Sequence, residues 1–207
     1  MHSYNIRNYT KEDLEECTDC YIGGFFEKNM PQDRRFLRDC MDALVGISNF
    51  TLVAETDGKV VGFLGLSYKK EFNKELSDSS DDPGRHNGFF GITIKRKLGL
   101  YGLSQEFKKE FSRFITEVMK RPAEIADDCD CEIVVLCSRK DFRKGVGTAL
   151  VNEMIDRCRK NGVSRIRVAT DTSWNYSFYG KFGSLVYEKE HEIDGVSGRT
   201  FVYEITI

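Results

Sequence analysis

The sequence predicts an α/β fold. Three observations carry the prediction. An apolar run, Ile133 to Cys137, leads into a basic, glycine-punctuated turn, Arg139 to Gly147. After it Ala149, Leu150, Met154, Ile155 and Cys158 recur at helical spacing, so this stretch reads as strand, tight loop and amphipathic helix. Phe50 to Glu55 and Lys59 to Tyr68 flank Thr56-Asp57-Gly58, the signature of a hairpin. Two helical patterns precede that hairpin, and further strands follow the motif. With 207 residues and 40% hydrophobic content the chain buries one substantial core. The expected organisation is a single domain over residues 1–207, with a long helical insertion at about 73–130.

The N-terminal elements follow from local signals. Tyr4 to Tyr9 alternates as a strand does, and Thr10, Lys11, Glu12, Asp13 form a capping-box start for a helix carrying Leu14, Cys17, Tyr21 and Ile22 on one face. Gly23 and Gly24 are expected to loosen that helix just before Phe25 and Phe26. A second helix, from about Gln32 to Val45, places Phe36, Leu37, Cys40, Met41 and Leu44 on one side.

Between the hairpin and the motif strand, Asn73 to Gly88 is polar and reads as a mobile loop. Phe89 to Tyr101 mixes apolar and basic residues. Such a stretch packs on its own domain or on a dimer mate more readily than on a membrane. Ser104 caps a helix bearing Phe107, Phe111, Phe114, Ile115 and Val118, which ends near Pro122. Insertions of this length often form lids. Past the motif, Asn161-Gly162 ends the helix, Ser164 to Thr170 is a strand, and TSWNYSFYGKFG is a short helix closed by glycine. Strands at about Leu185 to Ile193 and Thr200 to Ile207 flank Asp194-Gly195.

Composition narrows the function classes. A net charge of -2 with 31% charged residues describes a soluble globular protein and implies no nucleic-acid partner. The N-terminal MHSYNIRNYTKEDLEE has no apolar signal core, and no run approaches the roughly 20 residues of a membrane span, so a cytoplasmic location is expected. Seven cysteines, an odd number scattered through helices and strands, read as reduced core residues rather than a disulfide framework. Cys17 and Cys20 are spaced CxxC without a second pair, and Cys129 and Cys131 lie too close for a typical structural zinc site. No metal is expected.

The motif loop carries the chemistry. It lies at a helix N-terminus, where unpartnered backbone N–H groups and the helix dipole favour an anion. Gly145 and Gly147 remove side chains that would keep a phosphate from the backbone, and Arg143 and Lys144 add charge. A P-loop needs Lys and then Ser or Thr after its last glycine, whereas Gly147 precedes Thr148 and Ala149. A dinucleotide fingerprint needs a small residue where Leu150 stands.

The loop instead resembles the acyl-CoA loop of the GNAT superfamily of N-acetyltransferases, in which Arg or Gln, two residues, Gly, one residue, and Gly or Ala wrap the pyrophosphate of coenzyme A. Phe142 stands at the first position and Arg143 is one place late. The family follows the motif helix with a strand, Asn, a short helix, Phe-Tyr and a glycine-aromatic end. Asn175, Phe178, Tyr179, Phe182 and Gly183 stand in that arrangement, with the last pair in reversed order.

The resemblance implies a GNAT acyl-CoA N-acyltransferase fold, an α+β mixed sheet, mostly antiparallel and splayed, flanked by helices. It implies acetyl-CoA as acetyl donor, with Arg143, Lys144, Gly145, Val146, Gly147 and Thr148 around the pyrophosphate. Val135, Leu136 and Cys137 then offer backbone groups to the pantetheine arm, and Asn175 and Tyr179 complete the cofactor site. Tyr179 matches the tyrosine that protonates the departing thiolate. Glu132 opens the motif strand where some members carry a glutamate base, with Asp171 and Glu55 as alternatives. His86 lies in the polar loop and His191 in an alternating strand, and neither is favoured. Direct transfer is the family's rule, so Cys137 is expected to be a small strand residue rather than an acyl carrier. The acceptor is expected to be a small-molecule or peptide amine, selected by the insertion and the first two helices, and the protein a monomer or homodimer. Acidic Asp78, Asp81 and Asp82 are expected to be solvated. The alternative reading is a non-catalytic acyl-CoA-binding or sensor module.

Overall fold

A computed structural model describes residues 4–26, 33–68, 88–113, 129–142, 145–193 and 195–207. One seven-stranded sheet organises them, in the order β1-β2-β3-β4-β5-β7-β6. The strands are β1 (Asn5–Asn8), β2 (Phe50–Thr56), β3 (Lys59–Tyr68), β4 (Cys131–Ser138), β5 (Arg165–Asp171), β6 (Ser184–Ile193) and β7 (Val196–Thr206). The helices are α1 (Leu14–Phe25), α2 (Arg34–Ile47), α3 (Gly88–Lys97), α4 (Gln105–Arg113) and α5 (Val146–Lys160). Every strand pair is antiparallel except β4–β5, where α5 makes the crossover that parallel strands require.

Local signals set most of these elements. Asp57 and Gly58 both take positive φ, 51° and 70°, as a two-residue hairpin turn with the right twist demands. The Thr10–Asp13 capping box forms around a single 3-10 turn that runs into α1. Asp13 also accepts two bonds from Arg7, which reaches on to Glu55 and ties β1, the start of α1 and β2 together. Gly23 and Gly24 do not loosen α1, which continues to Phe25. The reason for a glycine at 24 is proximity, because a Cβ there would stand 3.2 Å from the Cys137 sulfur.

The sheet has a core on each face. On one side α5 packs Val146, Leu150, Val151, Met154 and Cys158 against β2–β5 and β7. On the other, α1 and α2 bring Cys17, Cys20, Phe36, Leu37, Cys40 and Met41 against Val53, Phe63, Val135 and Cys137. All seven cysteines are buried without a disulfide, and burial pushes the Cys20 and Cys40 thiols up to about 12. Among the described residues no group of three or more His, Cys, Asp or Glu side chains converges, and no helix is long and apolar enough to cross a membrane.

The described part of the insertion packs on α2. Tyr101, Phe107 and Phe111 surround Phe36 with ring centroids 5.3 to 5.7 Å away, while Lys95 and the Tyr101 hydroxyl bond Asp39. Ser104 caps α4 through the Phe107 N–H. The polar stretch at 73–87 and the Phe114, Ile115, Val118 and Pro122 end of the last helix lie outside the described residues, as do His86, Asp78, Asp81 and Asp82.

Asp33 fastens this insertion to the N-terminus of α2. Its carboxylate accepts from Arg35 N–H, pairs with the Arg35 guanidinium at 2.6 Å, and takes the Gly102 N–H at 3.0 Å. Those bonds, led by Arg35, hold the Asp33 carboxyl well below the usual carboxylate range. A depressed folded-state pKa means the stabilisation is fully present above the ordinary aspartate value near 4 and fades as acidification protonates the folded form. Asp33→Asn should therefore lower thermal stability at pH 7 by about 1–2 kcal/mol. The gap to the parent should close as melts are taken at pH values below about 4.

Candidate active site

The site forms where the sheet opens. β4 and β5 pair only over Cys131–Ile133 and Ile166–Val168. Beyond Ile133 the β5-facing edge of β4 has no ladder partner in β5. The cause lies on the other edge of β4. Gly65 pairs with Val135 and Leu66 with Ile133, so Val134 is an extra residue and a β-bulge bends the strand away. The bulge also changes which side chains face which layer. Cys131 and Ile133 join the α5-side core, whereas Val135 and Cys137 join the α1/α2-side core.

The mouth of this opening is the N-terminus of α5. Gly145 precedes it with φ 100°, a left-handed conformation suited to glycine, and a Cβ built on it meets nothing within 4 Å. The first intrahelical bond runs from Ala149 N–H to the Gly145 carbonyl, and no side chain caps the helix. The N–H groups of Val146, Gly147 and Thr148 thus lie in the turn that has no intrahelical acceptors, beside open space at Gly145. That arrangement accepts a phosphate. Gly147 has a different reason to be glycine, since its Cβ would stand 3.3 Å from the Phe178 ring and 3.8 Å from Leu136. Val146 is fully buried and fixes the loop against Gly62 of β3. Arg143 and Lys144 lie outside the described residues.

The wall opposite α5 is the segment after β5. Asn175 is exposed and opens a 3-10 turn, Tyr176–Lys181, by accepting the Phe178 N–H on its carbonyl. Phe178 lies against Gly147, so the aromatic turn and the phosphate loop share one contact. Tyr179 is half-buried between Phe178 and Tyr203, with centroids 5.2 and 6.2 Å away. Burial, and secondarily Cys137, push its hydroxyl well above its ordinary range, so it stays protonated at neutral pH. The structure thus joins Cys137, Gly145, Val146, Gly147 and Tyr179 around one opening.

Glu132 sits elsewhere along the strand. It lies at the paired start of β4, five residues before Cys137 and roughly 16 Å away at strand rise. Its parallel partner is Arg167, which bonds Glu204 at 2.9 Å. His191 approaches Thr200 Oγ1 through Nδ1 at 3.4 Å on the β6–β7 hairpin, and Glu55 pairs with Arg7 on the far side of the sheet.

One contact had no sequence signal. Phe25 of α1 meets Trp174, after β5, edge to face with centroids 4.4 Å apart. Because α1 packs on β3 and β4, this pair bridges the two sides of the opening on the α1 face. Nothing near Phe25 in the sequence connects it to residue 174.

Comparison with known proteins places this arrangement. Residues 114–183 match the model of the acetyltransferase (GNAT) family, a segment that contains β4, the loop, α5, β5 and the aromatic turn. No curated protein matches the sequence. Among solved structures, an N-acetyltransferase from Staphylococcus aureus Mu50 aligns with TM-score 0.58 at 15% identity over 99% of each chain. The ribosomal-protein-S18-alanine N-acetyltransferase from Escherichia coli aligns with TM-score 0.58 at 9% identity over 99% of this chain and 94% of that one. A GNAT family acetyltransferase from Elizabethkingia anophelis, with acetyl-CoA bound, aligns with TM-score 0.54 at 10% identity over all of both chains. The segment that builds the site matches the acetyltransferase (GNAT) family, and the chain as a whole has the fold of these acetyltransferases.

Proposed function

We propose that the protein transfers an acetyl group from acetyl-CoA to a primary amine by direct attack. The observation that carries this reading is the opening between β4 and β5, with the uncapped N-terminus of α5 at one end and Tyr179 beside Cys137. The residues present suit the donor. Gly145 and the first amides of α5 offer a bare backbone cradle for the pyrophosphate, and the parted edge of β4 at Val135 to Cys137 can pair with the pantetheine arm as an added strand would.

The chemistry then divides between two faces. An amine with pKa near 10 is mostly protonated at neutral pH and must lose a proton before it attacks. Its lone pair forms the C–N bond to the thioester carbon, and the C–S bond breaks. Tyr179 gives its proton to the departing sulfur, and the second proton that the nitrogen sheds as the amide forms returns to Tyr179 through water. A backbone amide of the parted strand faces the thioester oxygen, where negative charge develops.

Thermal melting with and without acetyl-CoA tests the donor. Ligand at about 100 times its Kd adds roughly 2.7 kcal/mol to the folded state, which for a chain of this length raises Tm by about 5–10 °C. An amine panel read by thiol release tests the transfer. No shift at millimolar acetyl-CoA would remove the donor from this proposal.

A further inference from the structure

We infer that Asp171 is the general base that takes the proton from the acceptor amine; the inference rests on the acetyl-transfer reading above. Three independent features of its position support it. The first is level. Counting on from the last β4–β5 pair, Ile133 with Val168, and allowing for the extra residue at Val134, Asp171 stands level with Leu136 and Cys137 across the opening.

The second is facing. Ile166 and Val168 of β5, with their β7 partners Ile205 and Tyr203, point into the α5-side core. Strand alternation therefore turns Asp171 and its partner Thr200 to the opposite face. That is also the face of Cys137, and it lies away from the α5 loop that receives the phosphates. An amine has to approach the thioester from this side.

The third is an incomplete set of partners. Asp171 is 3% exposed, and among the described residues its side chain accepts one hydrogen bond, from Ser173 N–H to Oδ1 at 2.6 Å, and pairs with no cation. A buried carboxylate ordinarily has a cationic partner or several donors. An incoming ammonium supplies the missing partner. The next residues of the same turn carry Trp174 onto Phe25. Glu132, by contrast, lies on the paired part of β4 next to Arg167.

The proton step balances simply. The ammonium N–H bond breaks as an O–H bond forms on Asp171, and the freed lone pair attacks the thioester carbon. As the C–S bond breaks, sulfur takes the proton from Tyr179, and the second proton that the nitrogen sheds on becoming an amide restores Tyr179 through solvent. Asp171 then returns its proton to solvent, so each turnover releases one proton overall.

The test compares parent, Asp171→Asn and Glu132→Gln with saturating acetyl-CoA and butylamine, 1,4-diaminobutane or a short peptide with a free N-terminus, read by thiol release. Asp171→Asn should lower kcat/KM for the amine roughly 10²-fold at pH 7 and keep the acetyl-CoA-induced Tm shift. Its deficit should shrink as pH rises toward 10, because more amine then arrives unprotonated; loss of a merely structural group would show no such recovery. Asp171→Ser, which can still accept the Ser173 N–H, should behave alike and covers the case in which the Asn variant fails to fold. A loss under threefold in either folded variant, or a pH-dependent loss in Glu132→Gln instead, overturns the assignment. A parent that turns over none of the amines overturns the acetyltransferase reading and this inference with it.

Discussion

Replacing Tyr179 with Phe should lower kcat by 10²- to 10³-fold while leaving the acetyl-CoA Kd within about threefold of the parent. The hydroxyl is the one part of this side chain that differs between the two residues. The ring contacts to Phe178 and Tyr203 remain, so packing changes little. In rate terms the loss is about 3–4 kcal/mol of transition-state stabilisation. The direction of the hydroxyl's shift fixes the pH behaviour. Burial and Cys137 raise it, so the proton is present throughout the neutral range and is lost only well above pH 10. The parent's rate should accordingly show no alkaline fall between pH 7 and 10, and the Phe variant should be slow by the same factor across that window. Steady-state thiol release, paired with a titration of acetyl-CoA binding, checks both halves. An unchanged kcat would remove Tyr179 as the acid, and binding of acetyl-CoA without thiol release by the parent would favour an acyl-CoA-binding module that does not catalyse transfer.

The legible parts of this protein are those whose cause is local. The Asp57-Gly58 turn, the Thr10–Asp13 cap and the strand, loop and helix around Gly145 each announce themselves within a few residues. The site is less legible because its decisive feature breaks no pattern. Cys131, Ile133, Val135 and Cys137 alternate cleanly with more exposed residues, as one strand face should. The bulge at Val134 nevertheless sends the first two to the α5 side and the last two to the α1 side. Period-2 alternation cannot reveal which layer a residue faces once an extra residue intervenes. Gly147 shows the same limit, because a glycine read as room for phosphate is also room for Phe178, thirty-one positions away. Asp171 looked in sequence like one of several carboxylates. Only the register of β5 against β4 and β7 sets it level with the parted strand.

Gly183→Ala should be the most damaging methyl added to any glycine among the described residues. Gly183 closes the aromatic turn and immediately precedes β6, whose first residue, Ser184, pairs with Glu204 of β7. A Cβ there would overlap the Glu204 carbonyl oxygen and stand 2.7 Å from its carbon. Those are backbone atoms of a strand held between β5 and β6, so no rotamer change relieves the clash. Either β6 moves off β7 or the turn unwinds. Overpacking of this kind costs about 3 kcal/mol, which should lower Tm by roughly 6–12 °C in a chain of this length. The damage should reach the chemistry as well. The N–H groups of Phe182 and Gly183 both bond the Tyr179 carbonyl, so displacing the turn displaces the tyrosine. The variant should therefore lose acetyl transfer at temperatures where it is still folded. Gly180→Ala, in the same turn, has its nearest neighbour at 3.8 Å and should leave Tm within about 2 °C. Melting the two variants side by side separates a specific collision at Glu204 from a general sensitivity of the turn, and equal losses in both would rule the collision out as the cause.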